Sequence, residues 1–181
     1  MIKTQIGIAA HSEIKDGKHV EIAKELIRAL RENCSNDHVI LLGGYWGLMK
    51  VLADEALNKG FKVAMLLPIE REGVEIPEKV IKIYTGCEFR CRSVMLVRSS
   101  DALISIGGGV GTQIEIAMAY AMGKPVFVLT NTGMPTDNLP LAFPEYLDDR
   151  KVVRVQYFKD VEELVKSLCS SRLRSVKTDF G

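Results

Sequence analysis

Ala102-Leu-Ile-Ser-Ile-Gly-Gly-Gly-Val-Gly-Thr-Gln-Ile-Glu115 decides how this chain folds. Its first five residues, Ala102–Ile106, are an apolar run of strand length. Gly107, Gly108, Gly109 and Gly111 then make a turn in which the backbone can take positive φ and lie close to a ligand. Ile114–Met122 is a mostly apolar segment of helical length. A strand, a glycine turn and a helix in that order gather backbone N–H groups at the positive end of a helix dipole, a ready site for phosphate or another anion. The helix expected over Thr112–Met122 carries one charged side chain, Glu115, placed by this reading in its first turn. A carboxylate beside an anion site is unfavourable unless something is gained from it.

Outward from this unit, apolar strand-like runs alternate with helical patterns. Strands are expected at Gln5–Ala10, His38–Leu42, Lys62–Leu67, Val80–Tyr84 and Val126–Thr130. Helices are expected at Val20–Arg31, Leu48–Asn58 (ended by Gly60) and Glu88–Arg98. Glu70–Glu78 and Asn131–Asp149 read as loops, and Val152–Val155 and Val161–Leu168 close the fold. The pattern predicts an α/β fold: a three-layer α/β/α, Rossmann-like domain over residues 1–170 with a mostly parallel sheet. Ser170–Gly181 is polar and basic, and residues 171–181 are expected to form a frayed tail.

Right-handed crossovers put the turns that follow successive strands along one edge of such a sheet, where ligands bind. Three glycine or small-residue turns are expected to meet there: Ala9–Ser12, Gly43–Gly47 and Gly107–Thr112.

Composition excludes several classes. A net charge of +1 gives no general attraction to nucleic acid or to acidic membranes. No apolar run is long enough to span a bilayer, and Met1-Ile-Lys-Thr-Gln-Ile lacks a signal peptide's apolar region, so a cytoplasmic location is expected. Cys34, Cys87, Cys91 and Cys169 with His11, His19 and His38 show no metal-ligand spacing, so no metal and no resident cofactor are expected. The cysteines are expected as free thiols.

The glycine turn lacks the third glycine of a dinucleotide fingerprint and the Lys-Ser/Thr pair of a Walker A loop. Thr112-x-x-Glu115 has capping-box spacing, so Glu115 serves a helix cap and a catalytic role equally well at this stage. Arg90, Arg92 and Arg98 share one helix, and composition does not choose among them. Trp46, the only tryptophan, stands where a flat base could stack or where it simply closes a rim. His11 sits where a general acid, or an ordinary loop histidine, would be found.

These motifs resemble the Lonely Guy (LOG) family, long labelled possible lysine decarboxylases, and the wider group that includes molybdenum-cofactor carrier proteins. The pattern Pro-Gly-Gly-x-Gly-Thr-x-x-Glu is matched by Gly107–Glu115, with Gly107 in place of proline. Gly-Gly-x-x-Gly-Leu-Met is matched by Gly43–Met49, and an arginine upstream of Ser-Asp-Ala falls on Arg92. LOG enzymes hydrolyse the N-glycosidic bond of cytokinin nucleoside 5′-monophosphates. The resemblance implies Arg92 and Glu115 as catalytic residues and Gly108, Gly109, Gly111 and Thr112 as phosphate-binding residues. Gly43, Gly44 and His11 complete the expected ligand site, for a phosphorylated, nucleotide-like small molecule, in a homodimer or larger homo-oligomer. Two departures stand out: Ser93 replaces the lysine that usually follows the arginine, and Ala9-Ala-His-Ser12 replaces Gly-Ser-Ser. They leave a carrier that binds a phosphorylated ligand without turnover as the alternative.

Overall fold

The structure, a computed structural model, describes residues 4–34 and 38–178; residues 1–3, 35–37 and the end of the expected tail, 179–181, lie outside it. Seven strands form one parallel sheet: β1 (Gln5–Ala9), β2 (Val39–Leu42), β3 (Lys62–Leu67), β4 (Ile81–Tyr84), β5 (Ala102–Ser105), β6 (Val126–Leu129) and β7 (Val155–Phe158). Among the described residues six helices accompany them: α1 (Gly17–Asn33), α2 (Gly47–Asn58), α3 (Phe89–Ser99), α4 (Val110–Ala121), the short α5 (Leu139–Ala142) and α6 (Val161–Ser170). Strand order is β4-β3-β2-β1-β5-β6-β7, so the order reverses between β1 and β5. The chain therefore has the expected Rossmann-like α/β architecture, with its topological switch point between the paired strands β1 and β5.

Alternation along each strand builds the two outer layers. Ile6 and Ile8, Ile40 and Leu42, Val63, Met65 and Leu67, Ala102 and Ile104, and Phe127 and Leu129 face one way, into a core shared with α1, α2 and α6. The residues between them, including Leu41, Leu66, Leu103, Val126 and Val128, face the other way, toward α3 and α4. Both faces are covered, which is why the central strands read as unbroken apolar runs. The edge strand β4 is the exception, exposed along all four residues.

Ahead of the last strand, which begins at Val155, the Val152 N–H donates to the Tyr120 hydroxyl. Two segments differ from the sequence reading. The loop Asn131–Asp149 contains a 3₁₀ turn at Pro135–Asn138 followed by α5. In the tail, the Val176 N–H donates to the Gly123 carbonyl, which ties that stretch to the end of α4.

The expectation of free thiols is corrected. Cys34 is disulfide-bonded to Cys169, because α1 and α6 pack side by side and bring their ends together, with Cα atoms 5.3 Å apart. Cys87 is bonded to Cys91 across the N-terminus of α3.

Candidate functional site

Helix starts separate into two kinds. Asp16, Glu88 and Asp160 cap α1, α3 and α6 with side-chain carboxylates that accept from backbone N–H groups. The helices α2 and α4 have no side-chain cap: their N-cap residues are Trp46 and Gly109. Both starts open on one cavity of about 590 Å³ at the carboxyl edge of the sheet. His11 and Ser12 after β1, Gly43 and Trp46 after β2, and Gly109, Gly111 and Thr112 after β5 all line it. The three turns singled out in the sequence thus converge.

The α4 helix starts two residues earlier than predicted. The Gln113 N–H opens its ladder by donating to the Gly109 carbonyl, which leaves the N–H groups of Val110, Gly111 and Thr112 without intrahelical partners. Thr112 is consequently inside the first turn and caps nothing, and Glu115 lies in the second turn. No capping box forms. Glu115 instead turns into the cavity wall, only 7% exposed.

Across from it, α3 presents Arg92, also 7% exposed. Arg92 Nη1 lies 3.9 Å from Glu115 Oε1, close enough for attraction and too long for a hydrogen bond. Its Nε has no hydrogen-bond partner among the described residues. The neighbouring Ser93 Oγ lies 2.7 Å from the same Glu115 oxygen and donates to it, with the Phe89 carbonyl 3.2 Å away. Burial pushes the Glu115 carboxyl above its ordinary range, while Arg92 and the Ser93 hydrogen bond pull the other way. Burial likewise lowers the Arg92 guanidinium, against the opposing pull of Glu115, Glu70 and Glu88. An arginine of such intrinsic basicity stays charged.

The glycines of the site have distinct reasons. A Cβ at Gly43 would overlap the Arg92 guanidinium, so that glycine is what admits the buried arginine. A Cβ at Gly44 would overlap the Trp46 ring, and one at Gly108 the Thr112 side chain. Gly107 has φ +97°, a conformation closed to the proline that the resembled motif carries there. At Gly109 and Gly111 a Cβ would meet nothing within 4 Å. Room in the cavity, rather than the protein's own packing, distinguishes those two.

Gly108 differs from its neighbours because its N–H already donates to Thr136 Oγ1 at 3.1 Å. His11 Nδ1 faces the backbone of Glu13, 3.0 Å from its N–H nitrogen and 3.3 Å from its carbonyl oxygen. Of the three arginines the sequence could not rank, Arg92 is buried in the site, Arg90 is exposed on its lining, and Arg98 is exposed in the last turn of α3. Lys124 donates to the carbonyls of Arg98 and Ser100, closing α3 rather than its own helix. Sequence reasoning missed Arg71, Phe89 and Ser93 as cavity residues. Arg71 lay in a charged stretch with no pattern to mark it. Ser93 was marked only as a departure from the resembled motif.

Fold and site together define a Rossmann-like protein of the LOG type. The chain belongs to the SLOG cluster4 family, whose model matches residues 3–165. It is 38% identical over 122 residues to an uncharacterised protein of Archaeoglobus fulgidus, covering 67% of this chain and 77% of that one. Among solved structures it is similar to TM1055, a structural-genomics target, with 30% identity and a TM-score of 0.80 over 91% of this chain and 98% of that one. It is also similar to the molybdenum cofactor binding protein of Rippkaea orientalis, with 26% identity and a TM-score of 0.72 over 93% and 98% of the two chains. The molybdenum cofactor carrier protein of Chlamydomonas reinhardtii shows 25% identity and the same TM-score over 92% and 96%. None of the helices is long and apolar enough to cross a membrane, among the described residues.

Proposed function

We propose that this protein binds a nucleoside 5′-monophosphate and hydrolyses its N-glycosidic bond, releasing the free base and ribose 5-phosphate. The observation that carries the reading is the buried Arg92–Glu115 pair in the wall of a cavity onto which the uncapped start of α4 opens. The 5′-phosphate takes the N–H groups of Val110, Gly111 and Thr112, with Gly109 and Gly111 leaving it space. Gly108 shapes the turn from behind, since its N–H is already engaged.

As the C1′–N bond breaks, positive charge develops on the ribose. An ionised Glu115 stabilises that charge and orients the attacking water. The water oxygen bonds to C1′ while its proton passes to the Glu115 carboxylate, and the leaving nitrogen takes with it the bond's electron pair and gains a proton, for which the His11 ring is the donor on the cavity wall. Arg92 holds the phosphoribosyl group and favours the carboxylate form of Glu115. The apolar side chains exposed on α3 and α4, Val94, Val110 and Ile114, suit these neighbouring helices to an interface in a homodimer, which light scattering would report.

Incubation with AMP and related monophosphates, with product separation, tests the activity. Release of base and ribose 5-phosphate that disappears in Glu115→Gln supports it, and unchanged turnover in that variant removes Glu115 from the chemistry. The alternative is a carrier or sensor of a phosphorylated ligand. It is favoured by the near full-length likeness to the molybdenum cofactor carrier and binding proteins and by Ser93 in place of lysine. Saturable thermal stabilisation by such ligands with no product on long incubation would establish it instead.

A further inference from the structure

The lining of the cavity carries an arrangement the hydrolysis chemistry does not use. The Trp46 ring lies against Gly44, where any Cβ would overlap it. Phe89 meets it edge-on, with ring centroids 6.2 Å apart and planes at 90°. The Arg71 guanidinium sits over the ring, its Cζ 5.7 Å from the centroid. All three residues line the same cavity as Gly109 and Glu115. Trp46 is only half-buried and Arg71 is exposed, so neither serves the core.

The indole is thus fixed by backbone beneath it and by a second aromatic ring at its side. Its cover is a long side chain from the 3₁₀ turn Ile69–Arg71. A planar cation over an indole occupies the volume that a flat heterocycle would take, and guanidinium also stacks well on the outer face of such a ring. We propose that Trp46, Phe89 and Arg71 form a subsite for a flat fused heterocycle, of purine type, on the phosphorylated ligand. The ring stacks on Trp46, and Arg71 swings outward to close over it. This rests on the reading that the ligand's phosphate sits at the start of α4, and it adds which half of the ligand sets selectivity: base stacking tolerates ring identity, whereas an aliphatic phosphate gains nothing there.

Because Trp46 is the only tryptophan, its fluorescence reads this subsite directly. Titrations with AMP, ribose 5-phosphate and inorganic phosphate, alone and in competition, are followed by emission and by calorimetry, in the native protein and in Glu115→Gln to suppress turnover. The expected result is saturable quenching by AMP, no emission change with ribose 5-phosphate, and displacement of AMP by ribose 5-phosphate. Arg71→Ala should weaken AMP about tenfold and leave ribose 5-phosphate within twofold. Trp46→Leu should do the same, with Trp46→Phe restoring most of the affinity if the leucine variant folds poorly.

AMP binding by calorimetry with unaltered emission overturns the subsite, as does an Arg71→Ala variant that weakens both ligands equally, because Arg71 then holds phosphate. Quenching by AMP without product release keeps the subsite and removes the hydrolase. Failure of all three ligands to bind removes the phosphate site and the subsite together.

Discussion

Ser93 Oγ lies 2.7 Å from Glu115 Oε1, the same oxygen that faces Arg92 Nη1 at 3.9 Å. Two consecutive residues of α3 therefore hold one carboxyl oxygen, one by a hydrogen bond and one by charge. Both favour the ionised form, and burial opposes them and prevails. If turnover needs the carboxylate, the rate rises with pH through a value above the ordinary carboxylate range. Ser93→Ala removes one of the two supports for the charge, so the acid limb of the kcat/KM profile should move further up while activity on the plateau largely persists. A limb that stays in place would show that Ser93 does not hold the titrating group.

Gly43 is the reason Arg92 can reach the site. Gly43→Ala puts a methyl group into the guanidinium, and the arginine must leave its buried position or the β2–α2 turn must shift. Overpacking of this kind costs about 1–3 kcal/mol, and a displaced arginine should reduce turnover or ligand affinity at least tenfold. Thermal melts and binding isotherms on the variant check both effects. Full activity would mean that the position of Arg92 is unimportant.

The fold was legible because its signal is local. Each apolar run between glycine or proline turns became a strand within a residue or two, and the order of turns gave the parallel sheet. The convergence of Ala9–Ser12, Gly43–Gly47 and Gly107–Thr112 followed from crossover handedness alone. Boundaries set by individual side-chain partners were not legible. Thr112 had the spacing of a cap, yet α4 starts at Val110, because Gly109 supplies the extended backbone at the cap position and leaves Thr112 to pack against Gly108. The Tyr120 hydroxyl takes the Val152 N–H, a partner 32 residues away that no local pattern marks. Arg71 reached Trp46 from a stretch whose sequence reads only as a charged loop.

The Cys34–Cys169 bond spans 135 residues and joins the far end of α1 to α6, beside residues Thr4 and His38 that precede β1 and β2. It therefore lies at the opposite edge of the sheet from the cavity that Arg92 and Glu115 line. Closing so long a loop restricts the unfolded chain, and its loss should cost about 2–4 kcal/mol. Cys169→Ser under non-reducing conditions should lower the unfolding free energy from denaturant titration by that amount and leave ligand affinity unchanged. A variant as stable as the native chain would show that the two sulfurs are not bonded in solution.

Adjacent glycines separate packing from binding. A Cβ at Gly108 overlaps the Thr112 side chain, whereas at Gly109 it enters the open cavity at an ordinary φ of −96°. Gly108→Ala should therefore destabilise the fold by about 1–3 kcal/mol. Gly109→Ala should leave stability within about 0.5 kcal/mol yet weaken ribose 5-phosphate roughly tenfold, because the methyl stands beside the N–H groups that take the phosphate. Denaturant unfolding and calorimetry on the pair distinguish the two effects. A Gly109→Ala protein that binds as tightly as the native chain would place the phosphate away from the start of α4, and with it the charge that Arg92 and Glu115 are arranged to meet.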